Sequence, residues 1–334
     1  MTRKPAPSRS RRAEGTLPVL LSRRLLLVAG KGGTGKSTIA AALALLAARE
    51  DKRVLCIEVD AKGDLSHQLG ADPPGFQPRV VQPNISVLQL KVEDSLQEYL
   101  HIYFKVPRLA RMTPLARVFD FVATGVPGAK DMLVIGKIAY EEKRREANGS
   151  PMWDMIIVDA AATGEVLPQL RAARAMLELV RGGIIRGQVE WIDAMLTDPT
   201  RTLLTICALP EEMPVVEAIE LHDRARAETK IGVGACFLNR MMPVSLSPRE
   251  EHLTERLAGD GERTALARQL GGDPRPVAEG ALLAQRFHHN GLEHARRLRA
   301  GMSVPLIEVP LLVAPRPGLA TTRAVAAALE GAAA

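Results

Sequence analysis

The chain has 334 residues, 46% of them hydrophobic and 25% charged, with a formal net charge of +6 and three cysteines. This size and composition support a large buried core and exclude a mostly disordered chain. The cysteines (Cys56, Cys207 and Cys236) lie far apart, which excludes a disulfide framework and a CxxC zinc site and implies a reduced, cytoplasmic setting.

The charge is concentrated at one end. Residues 1–24 hold Arg3, Lys4, Arg9, Arg11, Arg12, Arg23 and Arg24 against one acid, Glu14, which accounts for the whole excess. The body is electrically balanced, so no nucleic-acid partner is expected. Ser and Pro enrichment reads residues 1–24 as a disordered basic tail, with a transit peptide or a twin-arginine signal (Ser22-Arg23-Arg24) as the alternative. The longest mostly apolar run, Ile39–Ala48, is about half of the ~20 residues that cross a bilayer, so no stable membrane insertion is expected.

From Leu25 onward, strands and helices alternate. Leu25–Ala29 is a continuous apolar strand, followed by a loop and an Ala/Leu-rich helix to about Glu50. Val54–Val59, Ile85–Lys91, Met155–Val158, Leu203–Cys207, Ile231–Leu238 and Val304–Val309 read as further strands. Continuous apolar strands separated by helices predict an α/β fold with a mostly parallel, doubly wound sheet whose ligand site lies beyond the strands' carboxyl ends. Residues 25–330 form the predicted domain, with helical insertions at about 93–150 and 247–300. The first insertion gathers Tyr99, Tyr103, Phe104, Phe119 and Phe121, five of the chain's eleven aromatics, as either its own core or a client surface.

Gly30-Lys31-Gly32-Gly33-Thr34-Gly35-Lys36-Ser37 satisfies G-x-x-x-x-G-K-[ST] between an apolar strand and a helix. Glycines let backbone N–H groups converge on phosphate oxygens, and the helix N-terminus favours anions. Lys36 is expected at the β- and γ-phosphates of ATP and the Ser37 hydroxyl at Mg²⁺. Asp60 closes the second strand, where a carboxylate can orient water for in-line attack; Asp64 reads as a helix N-cap. Asp159 ends the strand Ile156-Ile157-Val158-Asp159 in the Walker B manner, a place to hold Mg²⁺ or its water shell.

With Lys31 inside it, the loop fits K-G-G-x-G-K-[ST], the deviant Walker A signature. Here the chain resembles the arsenite-pump and tail-anchored-protein-targeting ATPases. Asp60, Leu65 and Ser66 match that family's D-P-A-H-x-L-S, while Ala61-Lys62-Gly63 replaces P-A-H. Asp159, Ala161, Thr163 and Gly164 match its D-T-A-P-T-G, with Ala160 and Ala162 departing. The resemblance implies an ATP hydrolase working as a P-loop NTPase dimer, a homodimer or a heterodimer with a paralogous ATPase. It implies that Lys31 reaches the partner's phosphates and that Asn239 reads adenine. ATP is then expected against Gly30, Lys31, Gly32, Gly33, Thr34, Gly35, Lys36, Ser37, Thr38 and Asn239.

The family's metalloid cysteines and zinc-clasp CxxC have no counterpart, so the chain is most similar to the bacterial single-P-loop branch. Handling or targeting of a hydrophobic membrane-protein client is the favoured reading. The alternatives are the motor of an anion or metalloid exporter and a spatial regulator cycling on membrane or DNA. His288, His289 and His294 read as solvated helix residues, since none lies four positions from another.

Overall fold

Leu25–Gly30 (β1) is buried at every position because it runs through the middle of a sheet covered on both faces. The computed structural model describes residues 15–59, 63–104, 128–243, 245–259, 272–312 and 318–333. Among them, β1 is joined by β2 (Val54–Glu58), β3 (Arg79–Gln82), β4 (Ile85–Gln89), β5 (Met155–Ala162), β6 (Thr202–Ala208), β7 (Val233–Met241) and β8 (Leu306–Pro310). The strands lie in the order β3-β4-β2-β5-β1-β6-β7-β8. All neighbours are parallel except β3, which pairs antiparallel with β4 through the tight turn at Pro83 and Asn84. Exposed and only four residues long, β3 carries no apolar run that sequence inspection could register.

Alternation along β1 divides the core into two halves. Leu25, Leu27 and Ala29 face the side covered by α5 (Ala129–Lys143), α6 (Thr163–Leu179), α7 (Gly183–Thr197), α8 (Glu212–Glu228) and α10 (Arg275–Gly301). Leu26 and Val28 face the side covered by α1 (Thr16–Leu21), α2 (Lys36–Arg49), α3 (Asp64–Gln68) and α11 (Leu319–Ala333). On that second side α2 is rich in Ala and Leu, and it is buried from Ile39 to Ala44. Two further helices, α4 (Val92–Phe104) and α9 (Pro248–Ala258), lie in the two stretches expected as insertions. Ser247 and Glu250 cap α9 reciprocally, which fixes where that helix starts.

The tail expectation needs correction at its inner end. Residues 16–21 form α1, with Leu17, Leu20 and Leu21 buried against the α2 side of the sheet. Arg24 pairs with the buried Glu142 at 2.9 Å, so part of the basic excess belongs to the fold. Burying three leucines supplies a driving force that composition averaged over residues 1–24 conceals. A second correction is local: α3 takes Gly63 (φ 84°) as its N-cap, and Asp64 is the first helical residue.

All three cysteines are buried in β2, β6 and β7. Burial raises all three thiols, pushing Cys236 up to about 12, so none presents a thiolate near neutral pH. No helix among the described residues is long and apolar enough to cross a membrane.

Candidate nucleotide site

β1 ends at Gly30 and α2 begins at Lys36, so the glycine loop bridges the carboxyl end of the central strand and a helix N-terminus. Gly30 has φ 152°, and a Cβ there would sit 2.3 Å from the Cys207 carbonyl oxygen of β6. Only glycine lets the chain leave the sheet at that angle. Gly35 is left-handed (φ 91°) as the N-cap of α2, and a Cβ there would strike the Asn239 amide at 2.2 Å.

The loop is tied down from within. Thr34 donates from Oγ1 to the Lys31 carbonyl at 2.9 Å, and Lys36 donates from Nζ to the same oxygen at 3.3 Å. Lys31 turns its own ammonium outward to Glu217 Oε1 on α8, at 2.6 Å. The other carboxylate oxygen of Glu217 accepts from Thr163 Oγ1, the first residue of α6, at 3.4 Å. One glutamate thus bridges the glycine loop and the helix that leaves β5.

Asn239 near the end of β7 is buried. Its Nδ2 donates to the Thr34 carbonyl at 2.9 Å, and its Oδ1 accepts from the Arg240 amide at 3.0 Å. The resemblance assigned this side chain to the base; the structure engages both ends of its amide with backbone. Its immediate physical effect is to hold the loop against the sheet.

Asp159 lies on β5 beside β1, buried, in register with Glu58 at the end of β2. Glu58 was passed over in the sequence. Only 2% exposed, it accepts from Leu65 N at 3.3 Å and from Gln89 Nε2 at 3.0 Å. It therefore fastens the start of α3 and the end of β4 to the end of β2. An acid closing the apolar strand Val54-Leu55-Cys56-Ile57 was the available signal, because such a position is buried and must be partnered. Asp60, the expected water-positioning residue, lies outside the described residues.

The residues present fit Mg·ATP. The glycines at 32 and 33 leave open space within 4 Å where side chains would intrude, and they precede a helix N-terminus and Lys36. Ser37 and Asp159 offer the hard oxygen donors that Mg²⁺ takes, and waters and phosphate oxygens would complete its shell.

Beyond the loop, a cavity of 410 Å³ lies among α4, α5, α6 and α7. Leu96, Met132, Leu133, Met176, Val189 and Ile192 line it. Lys137 also borders it, but its ammonium is committed to Glu98 at 2.6 Å and Glu141 at 2.8 Å, and lies 4.5 Å from the Phe76 ring centroid. The aromatic cluster noted in the sequence falls outside the described side chains.

A parallel sheet whose central strand feeds a glycine loop into a helix, with an aspartate on the adjacent strand, defines the P-loop nucleoside triphosphate hydrolases. The model for the anion-transporting ATPases matches residues 23–188. ATPase BagA of Mycobacterium tuberculosis is 30% identical over 298 residues, spanning 86% of this chain and 87% of that protein. ATPase get3 of Schizosaccharomyces japonicus is 29% identical over 163 residues, 46% of each chain. An ATPase ASNA1 homolog of Entamoeba dispar is 25% identical over 265 residues, 66% of this chain and 77% of that one. The chain belongs to the ArsA family of anion-transporting ATPases and hydrolyses ATP.

Proposed function

We propose that the chain is a dimeric Mg·ATP switch that handles a hydrophobic protein client, whose apolar side chains dock into the cavity between α4 and α7. The observation that carries this reading is the path of α6. That helix begins at Thr163, just past Asp159, and reaches the cavity at Met176, about 20 Å along its axis. A rearrangement at the nucleotide therefore has one continuous helix, with Pro168 in its second turn, leading to an apolar, methionine-bearing cavity. Flexible thioethers suit side chains of varied shape on an apolar helix. The buried thiols favour this reading over a metalloid site, since none is presented to a soft ion.

In this reading the loop amides and Lys36 bind the phosphates, and Ser37 and Asp159 hold Mg²⁺, which neutralises charge on the phosphates when bound. Asp60 positions the attacking water, and Lys31 completes the site of a second copy or a paralogous chain. Light scattering with a non-hydrolysable ATP analogue tests the switch. Wild-type protein should double its mass with the analogue and Lys31→Ala should not; a mass independent of nucleotide would refute dimer switching. Asp60→Asn should slow turnover ~10²-fold with binding retained. The client arm uses a twenty-residue apolar helical peptide fused to a soluble reporter. Met132→Lys should lose that peptide and keep ATP hydrolysis, whereas unchanged binding would move the client elsewhere.

A further inference from the structure

We propose that Glu217 is a latch on the phosphate loop, holding Lys31 inside its own subunit until phosphate oxygens displace the carboxylate. This rests on the reading of Lys31 as a phosphate-seeking lysine and adds what restrains it.

The two cations of the glycine loop are both engaged internally. Lys36 is folded onto the Lys31 carbonyl, and Lys31 is paired with Glu217 at 2.6 Å. Lys36 keeps further N–H donors for a phosphate from where it stands, whereas Lys31 must give up its ion pair with Glu217 to reach outward. The two sides of the Lys31–Glu217 pair are unequal in stiffness. Glu217 stands on α8, whose Val215, Ala218 and Leu221 are buried in the core. Lys31 stands on a loop between glycines, with 37% of its side chain exposed. Release therefore moves the lysine and leaves the carboxylate in place.

Glu217 also takes the Thr163 hydroxyl, so the closed latch joins the glycine loop to the start of α6. Opening it frees the glycine loop from α8, while Glu217 stays in place beside the Thr163 hydroxyl at the start of the helix that leads to the cavity. The pair is partly exposed, so its strength is modest and a phosphate group, carrying more charge, can outcompete it.

Glu217→Gln keeps the shape and removes the charge. The analogue concentration giving half-maximal dimer should fall about two- to fivefold, the equivalent of about 0.4–1 kcal/mol. Analogue affinity is measured in parallel, at protein concentrations that keep the chain monomeric, for wild type, Glu217→Gln, Lys31→Ala and the double variant. A latch acts only through Lys31, so the substitution should change nothing once Lys31 is alanine. A fold-shift that persists without Lys31, or no shift where Lys31 is present, overturns the latch. Should Lys31→Ala abolish ATP-driven dimers while Glu217→Gln leaves the midpoint unmoved, the switch stands and the latch falls. Should no variant dimerise, the switch falls. The latch then stands if Glu217→Gln tightens monomer affinity only when Lys31 is present, and falls otherwise.

Discussion

Asn239 donates to the carbonyl of Thr34 at 2.9 Å, linking the end of β7 to the glycine loop 205 residues earlier in the chain. Both groups are buried, so the bond sets the loop's height above the sheet. Asn239→Asp places an acceptor opposite an acceptor. An unsatisfied buried pair costs about 1–3 kcal/mol, and we expect ATP affinity to fall roughly fivefold to a hundredfold in calorimetric titration. Unchanged affinity would show that the loop does not depend on this tether.

Glu58 should matter to stability as well as to the site. Glu58→Ala strands the Gln89 amide and the Leu65 N–H in a buried environment. Urea denaturation should show a loss of about 2–4 kcal/mol. ATP turnover should fall too, because the start of α3 and the end of β4 lose their shared anchor at the end of β2, in register with Asp159. A stable variant with normal turnover would confine Glu58 to packing.

Acid should weaken the molecule through α5. Burial alone would raise the Glu141 carboxyl, but the charge and hydrogen bond of Lys137 and the contacts of Arg144 outweigh it, leaving the pKa lowered. At Glu142 burial again acts to raise the carboxyl, and the hydrogen bonds and charges of Arg201 and Arg24 outweigh it, leaving the pKa lowered. Carboxylates depressed in the folded state contribute stability that is complete above the unfolded value of about 4.3 and is lost as pH falls through the folded values. The urea midpoint should therefore hold steady from this source above about pH 5 and drop below it. Glu142→Gln should flatten part of that acid slope; an identical slope would assign it to other groups.

Leu20 tests where the folded body begins. It is fully buried on α1, and a Cβ on Gly234 of β7 would approach its Cδ2 to 2.7 Å. Leu20→Ala should cost about 2–5 kcal/mol by urea denaturation, the usual range for a buried leucine. A loss under 0.5 kcal/mol would return α1 to the tail.

Sequence alone located the seven apolar strands, the parallel sheet they build and the phosphate loop, because each is written in short local patterns, whereas the short edge strand β3 is not. An apolar run reports burial on both faces, and G-x-x-x-x-G-K-S reports a backbone that only glycines allow. Local patterns could not reveal partners. Glu58 looks like any acid until Gln89 and Leu65 meet it, and Asn239 looks like a turn residue until Thr34 does. The Lys31–Glu217 pair spans 186 residues, beyond the reach of any spacing rule. Residues 16–21 were averaged into a basic stretch, since a helix of one and a half turns is made stable by the core it covers rather than by its own propensity. Fold class and phosphate chemistry are local properties of this chain; tertiary packing alone decides which charge answers which, since a hydrogen bond or ion pair needs two groups that only the folded sheet brings within 3 Å.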